Sequence, residues 1–351
     1  MNKYIIHSSA TLLEALAQLN RLSGAEMTLF VTDSDGRVVG SLTDGDIRRA
    51  LLAGRQLTDT VADAACHSFK AVGIERNDDA VNLLRECRLK GISMVPRIDG
   101  EGRLVDILNL SCTRSLLPLS AILMAGGKGE RLRPMTLTTP KPLLQIEGKA
   151  IIDYNVEALA AVGIDNITVT TGYLAEQLFD HFATPVAGVQ VKCVLEDQPL
   201  GTIGSAALAD IPAEGNTIVM NSDLLTTINF EELYLKHRDS GAEATIAVIP
   251  YQVSVPYAIL TLDNDRVTGI AEKPAYSYYA NAGIYIFNNS LLRALPLDRR
   301  TDATDLLEQI ITRGGHVAYY PIKRTWIDVG SPVDFRQAGE LMRHHRNLTS
   351  L

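Results

Sequence analysis

Leu119-Ser-Ala-Ile-Leu-Met-Ala-Gly-Gly-Lys-Gly-Glu-Arg-Leu-Arg-Pro-Met-Thr-Leu-Thr-Thr-Pro-Lys-Pro-Leu143 is the stretch on which the reading of this chain turns. The apolar run 119–125 predicts a buried strand. It empties into a turn with Gly126, Gly127 and Gly129, among which stand Lys128, Arg131 and Arg133, with Lys141 following. Glycines let backbone N–H groups approach phosphate oxygens without an intervening Cβ, and the cations neutralise a polyphosphate. The turn is not a Walker loop, because no Gly-Lys-Ser/Thr follows at the required spacing. Nor is it a dinucleotide fingerprint, since Leu132 occupies the place of the third glycine. A glycine-rich basic turn alone fits an ordinary loop equally well. Here it continues into Pro134, Pro140, Lys141 and Pro142.

Downstream, helical patterns at 151–162, 174–182 and 203–209 alternate with apolar strands at 167–171, 189–195 and 217–220. Such alternation with short connections predicts a three-layer α/β fold on a mainly parallel sheet, with ligands at the carboxyl ends of the strands. Val219-Met-Asn-Ser-Asp-Leu224 sets Asp223 just beyond a buried strand. A carboxylate there suits a hard divalent cation that bridges phosphates, or a cap on the following segment.

The first third of the chain repeats itself. Thr11-Leu-Leu-Glu14 is a capping box opening a helix with Leu12, Leu16 and Leu19 on one face and Gly24 at its end. A strand at 29–31, a turn at 33–36, a strand at 37–42 and a helix from Ile47 follow. The order returns with a helix at 80–89 closed by Gly91, a strand at 94–95, a turn at 99–102 and a strand at 103–108. Gly36-Arg37-Val38-Val39 aligns with Gly102-Arg103-Leu104-Val105. Two βαββα units, each too small to bury its own sheet face, are expected to pack together. Pro118 marks the junction, giving units at 1–60 and 61–115 and a larger domain at 118–351.

The 351 residues, 46% hydrophobic and 21% charged, suit a globular protein of two or three domains. A formal charge of -8 argues against a nucleic-acid surface. No amino-terminal signal pattern and no apolar run near ~18 residues is seen, so the expectation is a cytoplasmic protein without a membrane partner. The four cysteines form no Cys-x-x-Cys pair and the seven histidines no His-x-x-x-His pair, so no disulfide or zinc site is expected. His344-His345 are read as solvated residues on a final helix.

The stretch from Gly126 to Leu143 resembles the signature of the sugar-1-phosphate nucleotidyltransferases, Gly-Gly-x-Gly-x-Arg-Leu-x-Pro-x-Thr followed by Pro-Lys-Pro-Leu. The resemblance extends over residues 119–335. It implies a Rossmann-like three-layer domain that condenses a nucleoside triphosphate with a sugar 1-phosphate, releasing pyrophosphate. By the same resemblance, Ala125, Gly126, Gly127 and Gly129 hold the nucleotide, and Arg131 and Lys141 neutralise its phosphates. Asp223 binds Mg2+ together with Asp328, which lies in Thr325-Trp-Ile-Asp-Val-Gly-Ser-Pro332. Glu272-Lys273-Pro274 resembles the family triplet whose glutamate meets the sugar and whose lysine meets its phosphate. Asn281 and Tyr257 complete the sugar side. Ser222 and Ala258 depart from the family pattern, where glycine is usual at both.

In Glu196-Asp-Gln-Pro-Leu-Gly-Thr202 the resemblance assigns Glu196 to the Watson–Crick edge of the base, with Gly201 and Thr202 beneath it. Guanine offers a carboxylate two adjacent donors, whereas uracil and thymine offer one between carbonyls, so GTP is favoured over UTP or dTTP. Gln198 is the alternative reader. The first third resembles a tandem pair of CBS domains, in which Thr43 and Asp46 grip the ribose of a purine nucleotide effector. The same two residues also make a serviceable helix cap. Asn109 and Cys112 at the matching places of the second copy cannot bind ribose in that way, so the pair has one regulatory site or serves dimerisation alone. The combination is similar to bacterial glucosamine-1-phosphate guanylyltransferases of legionaminic acid synthesis, and a homodimer or larger homo-oligomer is expected. The rival reading is a nucleotide-sensing protein with a degenerate transferase half.

Overall fold

Thr11 opens the first helix as the capping box requires. Its hydroxyl accepts the Glu14 N–H, and the Glu14 carboxylate accepts the Thr11 N–H at 2.7 Å. The computed structural model describes residues 2–22 and 26–349. It divides into two compact units, one formed by residues 1–118 with 161–163, the other by 119–160 with 164–351.

The first unit contains β1 (Ile5–His7), α1 (Leu12–Arg21), β2 (Thr28–Thr32), β3 (Val38–Thr43) and α2 (Asp44–Leu52), then β4 (Val72–Gly73), α3 (Asp78–Leu89), β5 (Met94–Ile98) and β6 (Leu104–Asn109). Its sheets run β1-β2-β3 and β4-β5-β6, each with one parallel and one antiparallel pairing. Helix α1 buries Leu12, Ala15 and Leu19 against Leu29, Val31, Leu42 and Ile47. Gly24, expected to close it, lies outside the described residues.

The two hairpin turns match atom for atom. Asp33 Oδ1 accepts the N–H groups of Asp35 and Arg37, and Asp99 Oδ1 those of Glu101 and Arg103, all at 2.9 Å. Gly36 and Gly102 share φ near +80°. The copies then exchange bonds, Val38 N–H to the Gly102 carbonyl and Leu104 N–H to the Gly36 carbonyl, both 3.0 Å. The repeat seen in the sequence is therefore a reciprocal contact.

Two expectations need correction. Helix α2 starts at Asp44 rather than Ile47, because Thr43 is its N-cap and Asp46 completes a capping box. The second copy is βαββ without a closing helix. Asn109 accepts the Ser111 N–H on its side chain and the Cys112 and Thr113 N–H groups on its carbonyl, and these bonds make a turn.

The second unit runs β7 (Leu119–Ala125), the short hairpin β8 (Gln145–Ile146) and β9 (Lys149–Ala150), α4 (Ile151–Ala160), β10 (Ile167–Thr171), α5 (Ala175–His181), β11 (Lys192–Leu195) and β12 (Asn216–Asn221). It continues with β13 (Leu224–Thr226), α6 (Phe230–Ser240), β14 (Ala244–Ser254), β15 (Ile259–Asp263), β16 (Arg266–Ala271) and β17 (Ala275–Asn288). Last come α7 (Asn289–Arg293), α8 (Ala303–Thr312), β18 (Val317–Pro321), β19 (Trp326–Asp328) and α9 (Pro332–Thr349). His344 and His345 fall on α9, but their side chains lie outside the described residues.

Seven strands form the central sheet in the order β11-β10-β7-β12-β17-β14-β18. All its neighbouring pairs are parallel except those made by β17, which runs against both β12 and β14. The fold is thus the expected mixed, mainly parallel α/β sheet. The chain moves outward from β7 through β10 to β11 and then returns to β12 on the other side. The β7–β12 boundary is therefore the switch point, where a crevice opens at the strand carboxyl ends. Ile122, Val219 and Phe287 on the sheet pack against Leu306, Leu307 and Ile310 of α8.

Strand β11 is shorter than the expected 189–195, since Val186 and Val189 bond to each other across a turn. The expected helix at 203–209 is a 3-10 turn, Gly204–Leu208. Beyond the sheet, β14 and β17 continue as a two-stranded ribbon that exposes Tyr251, Tyr276 and Tyr278. Among the described residues no helix is long and apolar enough to cross a membrane.

His237 on α6 is buried, 3% exposed, with Nδ1 2.9 Å from Thr245 Oγ1 and Nε2 3.2 Å from Asn216 Oδ1. Burial pushes its imidazole down from the ordinary 6.5 to about 4. Above pH 6.5 folded and unfolded chains both carry the neutral ring. Between 6.5 and 4 only the unfolded chain takes the proton, so the fold should lose up to about 3 kcal/mol across that window. Urea unfolding from pH 7 to 4 should show a steeper loss for the wild type than for His237→Gln. Parallel profiles would contradict the assignment.

Candidate active site

The crevice at the switch point is built first by glycines. Gly129 has φ +60°, and a Cβ there would lie 2.9 Å from Thr136 Cγ2 and 3.1 Å from Lys141 Cβ. A Cβ on Gly126 would lie 2.5 Å from Glu196 Oε2. The turn can therefore close over Lys141 and beneath Glu196 only because both side chains are missing. Thr136 Oγ1 pins the turn by donating to the Gly129 carbonyl at 2.8 Å. Lys141 opens a 3-10 turn after Pro140 and is 8% exposed.

Two carboxylates far apart in sequence meet this lysine. Asp223 joins β12 to β13, and Asp328 ends β19. Strands β13 and β19 pair antiparallel with Leu224 opposite Asp328, and the Val329 N–H donates to the Asp223 carbonyl at 3.1 Å. Lys141 Nζ makes a close ion pair with Asp223 Oδ2 and stands 3.6 Å from Asp328 Oδ1. Asp223 Oδ1 and Asp328 Oδ1 are buried and accept no hydrogen bond from the described residues. Burial, then the Asp223 charge, pushes the Asp328 carboxyl up, while Lys141 and Arg131 pull it back. Arg131 lies against Gly330, where a Cβ would sit 3.0 Å from its guanidinium. Acceptor atoms left open between neighbouring carboxylates are the donor set that a hard divalent cation takes.

Ser222, where the family pattern usually has glycine, needs no unusual backbone. Its N–H and hydroxyl both donate to the Met124 carbonyl, at 3.2 and 2.7 Å, tying the end of β12 to the end of β7.

From this cluster a cavity of about 580 Å³ extends past Ala125, Gly126 and Gly127 to Glu196, Gly201 and Thr202. Glu196 Oε1 accepts the Leu200 N–H in a close contact, leaving Oε2 toward Gly126. Gly201, φ +91°, presses on the segment before α8, where an added Cβ would lie 2.5 Å from the Thr301 carbonyl oxygen. The next residue is latched to the same segment. Thr202 N–H donates to Asp302 Oδ1, and Thr202 Oγ1 accepts the Ala303 N–H, both at 2.9 Å. Gln198 is not among the residues lining the cavity, whereas Pro199 and Asn221, given no role by the motifs that contain them, and Ser205 and Arg300, which lie outside those motifs, are. The Asp302–Asp305 capping box was available as a helix signal, but nothing local in the sequence says that its cap meets Gly201.

The structure does not bring the expected sugar-side residues to this cavity. Glu272 and Lys273 are exposed where the ribbon meets its hairpin, and Tyr257 is 74% exposed. Asn281 uses its amide internally, donating to Tyr285 Oη at 2.7 Å and accepting the Gly283 N–H at 2.8 Å. In the first unit, Asp46 Oδ2 accepts the Thr43 N–H and hydroxyl at 2.8 and 2.6 Å, and Asp46 Oδ1 pairs with Arg49. These bonds form the helix cap, one of the two readings left open for the pair.

A family model described as Nucleotidyl transferase matches residues 120–344, and one described as CBS domain matches residues 1–53. The mannose-1-phosphate guanylyltransferase catalytic subunit beta of Danio rerio is 32% identical over 226 residues, covering 62% of this chain and 62% of its own. The mannose-1-phosphate guanyltransferase of Neurospora crassa is 33% identical over 227 residues, with the same 62% coverage of each chain. The chain thus spans less than two thirds of the length of these curated relatives. HddC from Yersinia pseudotuberculosis, solved with GMP-PN, superposes with a TM-score of 0.50 at 24% identity, over 64% of this chain and 99% of its own, a likeness of fold.

Gly201→Ala combines a left-handed backbone with a clash against Thr301, and should lower unfolding free energy by about 1–3 kcal/mol. Gly127→Ala, with open space around the added methyl, should cost less than about 1 kcal/mol. Thermal melts of the two variants check this, and equal melting temperatures would contradict it.

Proposed function

The chain belongs to the nucleotidyl transferase family, and we propose that it condenses GTP with a hexose or amino-sugar 1-phosphate to give a GDP-sugar and pyrophosphate. The observation that carries this reading is the meeting of Lys141, Asp223 and Asp328 beside the glycine turn, at the open end of a nucleotide-sized cavity. A phosphate oxygen of the sugar phosphate attacks the α-phosphorus of GTP. The bond from that phosphorus to the α–β bridging oxygen breaks, and its electron pair leaves on pyrophosphate. The attacking oxygen is already anionic, so no general base is required. The protein's task is alignment and charge neutralisation.

In this proposal the amides of the 126–129 turn and Arg131 hold the triphosphate, and Lys141 neutralises charge developing toward the leaving pyrophosphate. Asp223 and Asp328, through their open Oδ1 atoms, would hold Mg2+, which when bound supplies further positive charge at the phosphates. The guanylyl assignment draws on the names of the relatives and on Glu196. A carboxylate oxygen has lone pairs to spare, so Glu196 can keep the Leu200 N–H and still accept from guanine N1–H and N2–H₂. The exposure of Tyr257, Glu272 and Lys273 leaves the sugar assigned only as a class. A purine effector at Thr43 and Asp46 would share the Asp46 carboxylate with the α2 capping box and with Arg49. The pair is therefore proposed both as the α2 cap and, through the lone pairs left on Asp46, as a purine effector site.

With GTP and a panel of sugar 1-phosphates, pyrophosphate release by Asp223→Asn and Lys141→Ala should fall by at least about a hundredfold with the fold retained. Near-normal rates in either variant would remove this mechanism. Glu196→Gln should shift the GTP-to-UTP preference toward UTP by about tenfold, because an amide can donate to a base carbonyl. A wild type that prefers UTP or dTTP would overturn the guanine assignment.

A further inference from the structure

Arg300 was not singled out by any motif, yet its neighbours hold it at one end of the cavity. The segment before α8 is bonded to the Glu196–Gly204 loop on both sides. Thr301 N–H donates to the Leu200 carbonyl at 2.8 Å, and the Ile203 and Gly204 N–H groups both donate to the Thr301 carbonyl at 3.2 Å. Arg300 therefore lies beside Gly201 and Thr202, at the end of the cavity that Glu196 occupies. Arg131 and Lys141, which line the same cavity, are instead held beside Gly330 and the Asp223–Asp328 pair.

Its direction is also set. Asp302 Oδ1 is committed to the Thr202 N–H, and Asp302 Oδ2 takes one guanidinium N–H of Arg300 at 3.1 Å. The Thr202 N–H, and after it Arg300, hold the Asp302 carboxyl below the ordinary aspartate range, so the bracket stays charged at neutral pH. The Arg300 side chain is 69% exposed. A guanidinium has five N–H donors, and Asp302 accounts for one in a fixed fork.

We infer that Arg300 is a base-reading residue, donating to guanine O6 and N7 while Glu196 accepts from N1–H and N2–H₂. The inference rests on the guanylyl reading above and supplies it with a second contact. Along the guanine edge two donors are followed by two acceptors, and a carboxylate and a guanidinium at one end of a cavity match that order. Adenine replaces the O6 acceptor with an amine, and uracil lacks N7 altogether. Arginine paired bidentately with O6 and N7 discriminates bases more sharply than any single hydrogen bond.

The test is calorimetric binding of GTP, 7-deaza-GTP, UTP and pyrophosphate to the 351-residue chain, which needs no knowledge of the sugar. Wild-type protein should bind GTP about tenfold more tightly than 7-deaza-GTP, which lacks the N7 acceptor. In Arg300→Met the two should bind alike, with GTP weakened about tenfold and UTP unchanged, and Arg300→Lys should recover part of the loss. Thermal melts confirm that the variants are folded, and the wild-type comparison stands without them. Equal weakening of GTP, UTP and pyrophosphate in Arg300→Met would make Arg300 a phosphate contact and overturn the inference. Unchanged affinities would make it a surface partner of Asp302, with the same consequence. A wild type that binds UTP over GTP would instead sink the guanylyl reading itself, whereas a GTP-preferring wild type with an indifferent Arg300→Met sinks this inference alone.

Discussion

The buried ammonium of Lys141, set between the carboxylates of Asp223 and Asp328, is the contact on which the site depends. Two carboxylates held together in a half-buried place repel each other on the order of a few kcal/mol unless a cation intervenes. The chain supplies that cation from a third segment, the turn after Pro140. Three stretches remote in sequence, the ends of β12 and β19 and the Pro-Lys-Pro turn, are thereby fixed against one another. The pairing of β13 with β19 sets the spacing of the two acids, and the absence of a Cβ at Gly129 lets the turn come in above Lys141. Lys141 thereby offsets one of the two carboxylate charges and holds the groups in fixed positions, a preorganisation of the kind that phosphoryl chemistry requires of a protein.

The sheet serves this cluster by its order. Because β7 and β12 are adjacent and parallel while the chain has visited β10 and β11 between them, their following loops diverge and leave a crevice. Ser222 and Met124 tie the two strand ends, so the floor of the crevice is rigid where the acids emerge. At the far end, Asp302 does comparable work with one side chain, capping α8, holding Thr202 and orienting Arg300. The first unit shows the same economy. Its two hairpins meet through reciprocal backbone bonds that need equivalent glycine turns in both copies.

Much of this was legible in the sequence because it is local. An apolar run before a glycine turn, an aspartate just past a buried strand and a Thr-x-x-Glu box each encode their structure within a few residues. The internal repeat was legible for the same reason, since Gly36-Arg37 and Gly102-Arg103 carry identical turn chemistry. What was missed depends on contacts between distant segments. The place of Arg300 follows from the meeting of Thr301 with Gly201, which no spacing announces. The start of helix α2 at Asp44 rather than Ile47 follows from the mutual bonds of Thr43 and Asp46, which residue types alone do not announce. The sugar side is illegible for a related reason. A triplet such as Glu272-Lys273-Pro274 fixes a local turn, but where that turn lies relative to the cavity is set by the β14–β17 ribbon.

The Lys141–Asp223–Asp328 cluster is proposed to exchange pyrophosphate at an α-phosphorus, a reaction that also runs in reverse. The most direct measurement is the reverse reaction, followed by phosphorus NMR with pyrophosphate, Mg2+ and a panel of GDP-hexoses and GDP-amino sugars. The account predicts that GTP and a sugar 1-phosphate appear together, in equal amounts, from at least one member of the panel. Failure of every GDP-sugar in the panel, or release of orthophosphate in place of GTP formation, would contradict it.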